Sequence, residues 1–146
     1  MQPEIHIHYL AVVVAALAAF FFGWIWHGPI FGKTWAALMK FPADFKPTSK
    51  QMAQSMVLAL VGSLLTAWVL AHSVEVWRPS VWKVGPDQGP AVYGFFAGFF
   101  TWLGFYVPML FGAVAWEGKS WKLFGLNAAF HFLALQIMGA ILTFWR

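Results

Sequence analysis

His131 is the residue of this chain best placed to do chemistry inside an apolar medium. It lies about midway along the apolar run 121–145, and Asn127 precedes it by one helical turn on the same face. With a rise of about 1.5 Å per residue, Thr101 in the preceding run and Ser63 and Thr66 in the second fall at similar depth. Tyr106 falls nearer the level of Asn127. Brought together in one bundle, these six residues form a polar pocket for a substrate, a proton or a pigment, because polar and ionisable groups at membrane depth are costly and functional. The structural alternative is a neutral imidazole donating a single hydrogen bond between helices, the commoner role for a lone histidine.

A second set lies at the other level of the chain: Glu4, His6, His8, His72 and Glu75. Histidines alternating at 6 and 8 reach one point from an extended segment, and His72 arrives from the second apolar run. Imidazole with carboxylate suits zinc or copper. No compact ligand spacing fixes a metal, and interfacial polar residues at two helix ends account for the same pattern.

Three further motifs carry less. GPIFGKT at 28–34 has three residues between its glycines where a phosphate-binding loop needs four, and an apolar run precedes it instead of a strand. Nucleotide binding is rejected. Gly23-x-x-x-His27 resembles helices that hold a tetrapyrrole through one histidine, with a small residue beside the ring. A two-histidine haem is not expected, because His27, His72 and His131 fall near the inner, outer and middle levels. No Ser/His/Asp set and no carboxylate pair lies in the apolar runs, so no catalytic apparatus is visible. No cofactor is predicted beyond a single-ligand pigment or a metal at the outer histidines.

The elements that position these residues are four apolar runs, expected as helices over about 5–26, 51–74, 91–116 and 121–145. About 20 apolar residues cross a bilayer. Gly28–Pro29 is expected to stop the first helix, and TWAALMKF at 34–41 to form a short interfacial helix. Thr48 and Gln51 have capping-box spacing, and Pro108 is expected to kink the third helix and free a carbonyl. The turn at 117–120 is too short for anything but antiparallel neighbours. Small residues recur at Ala15, Ala19 and Gly23, at Ser63, Ala67 and Ala71, and at Gly94 and Gly98, leaving seams for close helix packing. Pro29–Phe31–Gly32 is echoed by Pro108–Phe111–Gly112, and GKTW at 32–35 by GKSW at 118–121, which suggests two similar helical hairpins facing the same way.

Composition agrees with a bilayer as solvent. Of 146 residues, 61% are hydrophobic, 10% charged and 20% aromatic, with ten Trp. Soluble domains average about 25% charged residues, and so many indoles suit the two interfacial belts. The net charge of +4 is scattered through short loops, which points to topology and not to nucleic acid. With no Cys, disulfides and thiol chemistry are excluded. MQPEIHIHYL lacks the positive charge that opens a secretory signal, so the first run is expected to stay as a spanning helix. Lys33, Lys40, Lys46, Lys50, Lys119 and Lys122 lie in loops one and three, against Arg78, Lys83 and Arg146 on the other side. The positive-inside rule then puts both termini outside the cytoplasm of a bacterial inner membrane.

Two segments also carry a family resemblance. Trp24 to Trp35 ends the first run with a W-x-x-x-P-x-x-G-K-x-W-like pattern, and Glu117 to His131 reads EG[KR]S-x-K-L-x-x-x-N-x-x-x-H-like. Together with the central FFAGFFTWLGFYVPMLF, the whole chain resembles the small bacterial membrane proteins of the domain-of-unknown-function family 1761. Members often carry Tyr-Ser before the proline of the first segment, where this chain has His27–Gly28. The resemblance implies a four-helix membrane domain and no reaction, substrate or cofactor.

The expected molecule is therefore an all-α integral membrane protein of one domain. The residues suggest two functions. The small-residue seams point to a non-enzymatic accessory subunit that associates with itself or with other membrane subunits. The Asn127–His131 pocket points to a transporter or small-ligand binder.

Overall fold

The computed structural model describes residues 2–145; Met1 and Arg146, the latter one of the charges counted for topology, lie outside the described residues. Among the described residues the structure is helical throughout, without strands. Four helices are long and apolar enough to cross a membrane: Tyr9–Ile30, Ser49–Val76, Pro90–Glu117 and Trp121–Phe144.

The first span starts later than expected. Residues 2–8 have no regular secondary structure, and His8, itself extended, caps the helix: its Nδ1 accepts the Ala11 amide at 3.1 Å. Helix α1 runs Tyr9–Ile25 and does not end at Gly28–Pro29. Pro29 has no amide hydrogen to give the Ile25 carbonyl. The ladder widens instead into a π-helical turn, Trp26–Ile30, in which the Phe31 amide donates to the Trp26 carbonyl at 2.9 Å. A short helix α2 comes next at Gly32–Leu38. Gly32 permits the join, because a Cβ there would stand 2.8 Å from the His27 carbonyl oxygen.

Helix α3 spans Ser49–Val76 and opens with a capping box, Gln51 N–H to Thr48 Oγ1 at 3.2 Å and Thr48 N–H to Gln51 Oε1 at 2.9 Å. The third span repeats the device of the first. Helix α4, Pro90–Thr101, passes through a π-helical turn, Trp102–Tyr106, into helix α5, Val107–Glu117, with the Val107 amide reaching back to the Trp102 carbonyl. Pro108 sits just beyond, so the expected kink is spread over a widened turn. Gly118, at φ 67°, ends α5 in the left-handed conformation that glycine tolerates best. Ser120 then caps helix α6, Trp121–Phe144, accepting the Leu123 amide at 3.2 Å.

The core is built from alanine and leucine. Ala11, Ala15, Ala16 and Ala19 of α1 meet Ala67, Leu70, Ala71 and Val74 of α3 and Ala134, Leu135, Met138 and Leu142 of α6. Helix α4 packs on α6 with its backbone nearly in contact. A Cβ on Gly94 would stand 2.6 Å from the Gly139 carbonyl oxygen, and one on Gly98 would stand 3.1 Å from that of Leu135. In lipid, where apolar surface gains nothing by leaving its solvent, such close packing is the main attraction between helices. The seams at Ala15, Ala19, Gly94 and Gly98 are thus used inside the chain. Helix α3 engages this core only in its second half: no residue of it before Ala67 is buried.

The loop after α3 is fastened by charge. Arg78 donates to Glu75 Oε2 at 2.6 Å and to Asp87 Oδ2 at 2.8 Å, while Asp87 also accepts the Ser80 amide at 2.9 Å and the Ser80 hydroxyl at 2.7 Å. Burial disfavours the charge on Arg78, yet its bonds to the two carboxylates outweigh this and hold its pKa above the ordinary value. Burial also pushes Asp87 upward, but the two Ser80 bonds and Arg78 win and hold it below the usual carboxylate range.

Gly94→Ala is expected to cost about 1–3 kcal/mol through overpacking against α6, read as thermal unfolding in detergent. Gly112→Ala, where a Cβ meets open space, should not lower the melting temperature. Because the Asp87 pKa is lowered by folding, its bonds contribute fully above the unfolded carboxylate value of about 3.9 and are lost as pH falls through the lower folded value. Hydrogen exchange at the Ser80 amide should therefore stay protected at about pH 5 and open in stronger acid. Asp87→Asn should weaken that protection even at neutral pH.

Candidate functional site

The proline-widened turns converge on one place. A cavity of about 490 Å³ lies among α1, α3 and α6, in the gap left where the first half of α3 stands off the core. His27 enters it from the first π turn and Tyr106 from the second, with His131 of α6 and Ser63 and Thr66 of α3. An extra residue in a turn rotates the next stretch of helix by about 100° relative to the α-helical register, and π turns recur at functional sites for this reason. Both polar residues occupy the same place in sequence, two positions before a proline: His27 before Pro29, Tyr106 before Pro108.

The polar atoms are partly committed. His27 Nδ1 lies 3.0 Å from the Gly23 carbonyl oxygen. A carbonyl only accepts, so Nδ1 carries the proton and Nε2 is left as a free acceptor. The Tyr106 and Thr66 hydroxyls lie 3.4 Å apart, a weak bond. His131 takes no hydrogen bond from any described residue; its ring rests 4.6 Å from that of Tyr106 and 5.0 Å from that of Phe130. Phe130 in turn meets His27 edge-on at 4.6 Å and stacks on Phe22. Apart from Ser55 the remaining wall is apolar, with Met52, Met56 and Met138 among its residues, and it contains no Asp, Glu, Lys or Arg.

Of the six residues expected to converge, the structure brings four to this cavity: His131, Tyr106, Ser63 and Thr66. Thr101 lines a separate groove with Ser73, Tyr93 and Phe100, between α3 and α4. Asn127 is half-buried a turn nearer Ser120 and does not line the cavity, whose α6 wall is Phe130, His131, Ala134, Leu135 and Met138. His27 is the residue that depth counting misses. Counting places it at the inner level only on the premise that the helix stops at Gly28. The repeated polar-x-Pro pattern is the signal that could have found it. The space beside Gly23, open to a pigment by the sequence pattern, is filled by the ring of Phe130, 3.2 Å from where a Cβ would be.

The outer set does not assemble as a metal centre. Among the described residues no three His, Asp or Glu side chains gather as a metal would require. His72 donates through Nδ1 to the Trp68 carbonyl at 2.8 Å and packs edge-on against the Trp68 ring, away from the others. His8 is engaged as the cap of α1, Glu75 is bonded to Arg78, and Glu4 pairs with Lys83 at 3.1 Å. Glu4, His6, His8 and Glu75 do line one cavity, of about 410 Å³, at the end of the bundle where α1 begins.

No curated protein and no solved structure matches this chain. A family model described as "Protein of unknown function (DUF1761)" matches residues 10–143, almost the whole of it. The four membrane-length helices, the proline-bearing segment after Trp24 and the Glu117–His131 run all fall within or largely within that match, and the chain belongs to this family.

Proposed function

We propose that the protein binds a small, neutral, membrane-dissolved molecule in the cavity among α1, α3 and α6. The observation that carries this is the delivery of His27 and Tyr106, by proline-widened turns on two different spans, to one uncharged cavity beside His131. A structural histidine would be expected to hold a partner on another helix, and His131 holds none among the described residues. With no formal charge in the wall, an ionic headgroup would be desolvated without compensation. A hydroxyl or carbonyl on an apolar body is matched: the free His27 Nε2 accepts, the Tyr106 hydroxyl donates or accepts, and the methionines adapt to the body. Entry is from the bilayer, past the unburied half of α3.

The reading takes the protein to sit in a bacterial inner membrane with both termini outside, supported by six basic residues in loops one and three against three elsewhere. An accessory-subunit role has less support, because the small-residue seams that suggested it are occupied within the chain. Transport would need a second opening to the cavity, and ligand binding alone explains its lining.

Protein extracted gently and analysed by native mass spectrometry is expected to carry a neutral amphiphile. Tyr106→Phe should retain about tenfold less of it, the effect of losing one buried hydrogen bond of about 1–2 kcal/mol, with helical melting unchanged. Ser63→Trp, which fills the cavity, should retain none. A wild-type protein free of ligand, or equal retention in the filled variant, would sink the reading.

A further inference from the structure

One polar side chain lies on the outside of the bundle at membrane depth. Gln136 stands three to four residues from the middle of α6, about 5 Å along its axis. With a hydrocarbon slab of about 30 Å, the headgroups are about 10 Å away, beyond the reach of a glutamine side chain. Gln136 lines neither the inner cavity, the outer one nor the groove between α3 and α4. Its amide crosses Gly98, where a Cβ would stand 2.8 Å from Nε2, and donates to the Phe95 carbonyl at 3.3 Å in an exposed bond. The second N–H of Nε2 and the whole acceptor capacity of Oε1 go to no described residue. In water such an amide needs nothing more from the protein. In lipid, exposure leaves a polar atom as unsatisfied as burial does, because the solvent has no hydrogen bond to give.

The helix face around this amide is small. Ala129 and Leu133 lie seven and three residues before Gln136 and Ala140 four after it, all on one face and all exposed. The alanines let another helix come close enough for a short polar side chain to reach across. This face is not the seam used inside the chain, where the buried Gly139 and Leu135 meet α4. Asn127, the other amide of α6, is nine residues away and so on the opposite side of the helix. What covers the face must bring a donor and an acceptor to one depth. An amide is its own complement, since it offers one of each. A second copy of this chain, spanning the bilayer in the same direction, carries its own amide at the same depth by construction. A two-fold axis along the membrane normal sets the two opposite each other. Lipid tails offer neither group. We propose that the protein forms a parallel homodimer through this face of α6, in which Gln136 Oε1 accepts the free N–H of the partner's Gln136, and reciprocally.

The chain has no cysteine, so a single introduced one reports contact between copies cleanly. The experiment is disulfide crosslinking of the full chain in phosphatidylcholine vesicles, followed as the protein is diluted with lipid. Ala140→Cys is expected to crosslink to a dimer and to keep doing so on dilution. Leu65→Cys, near the middle of α3 and 59% exposed, is expected to fall away as chance encounters become rare. Adding Gln136→Leu to Ala140→Cys should weaken the dimer about tenfold, the loss expected for a reciprocal pair of interhelical hydrogen bonds. Because that change also removes the bond to Phe95, Ala129→Phe serves as a second variant. It keeps every side-chain hydrogen bond of the chain, adds bulk only on the exposed face, and should weaken the dimer by at least as much with an unchanged melting temperature. Crosslinking no better at Ala140→Cys than at Leu65→Cys, or a dimer of full strength with either Gln136→Leu or Ala129→Phe, would overturn the assignment.

Discussion

The missing amide hydrogens of Pro29 and Pro108 set the terms for the rest of this molecule. In water a carbonyl left without its helical partner is solvated at once. At membrane depth it must be answered by the protein or by a shift of the ladder, because the lipid offers nothing. Here the ladder shifts in both cases, from i→i−4 to i→i−5, around the proline. The neighbouring residues are re-phased, and the two polar side chains two positions before the prolines are carried to one cavity. Backbone chemistry of residues outside the cavity thereby decides which side chains line it.

The second constraint is the attraction available between helices in lipid. It depends on how closely the backbones approach, and this chain devotes Gly94, Gly98, Gly139 and a set of alanines to that approach. Gly94 lies against Gly139, and Gly98 against Leu135. Ala15, Ala16 and Ala19 of α1 are buried with Ala67 and Ala71 of α3. Outside that core the spans carry phenylalanine, leucine and tryptophan, such as Phe100, Phe105, Leu65 and Trp68, all exposed on the protein and suited to lipid tails.

Much of the fold was legible because its signals are local. Apolar length gave the four spans, Thr48 and Gln51 gave the start of α3, and the short turn at 117–120 gave the antiparallel pair α5 and α6. The candidate site was legible only in part, because depth along a helix can be counted from sequence whereas azimuth cannot be counted across an irregular turn. Ser63, Thr66, Tyr106 and His131 line one cavity. Asn127 and Thr101 have the right depth and lie outside the cavity. His27 is carried in by a turn that a regular helix would not contain. The outer histidines show the complementary limit: alternate spacing at 6 and 8 says nothing of prior commitments, and His8 is needed to cap α1.

One length has a further consequence. Helix α3 has 28 residues, and the first span has 22. At about 1.5 Å per residue these are rods of about 42 and 33 Å, set in a hydrocarbon slab of about 30 Å. The longer rod fits by leaning or by projecting its ends, and α3 is anchored only in its second half. Its free half is the wall of the inner cavity. The width of that cavity is therefore geared to the tilt of α3, and the tilt to the thickness of the surrounding membrane: a thinner bilayer lays the rod over, and a thicker one draws it upright.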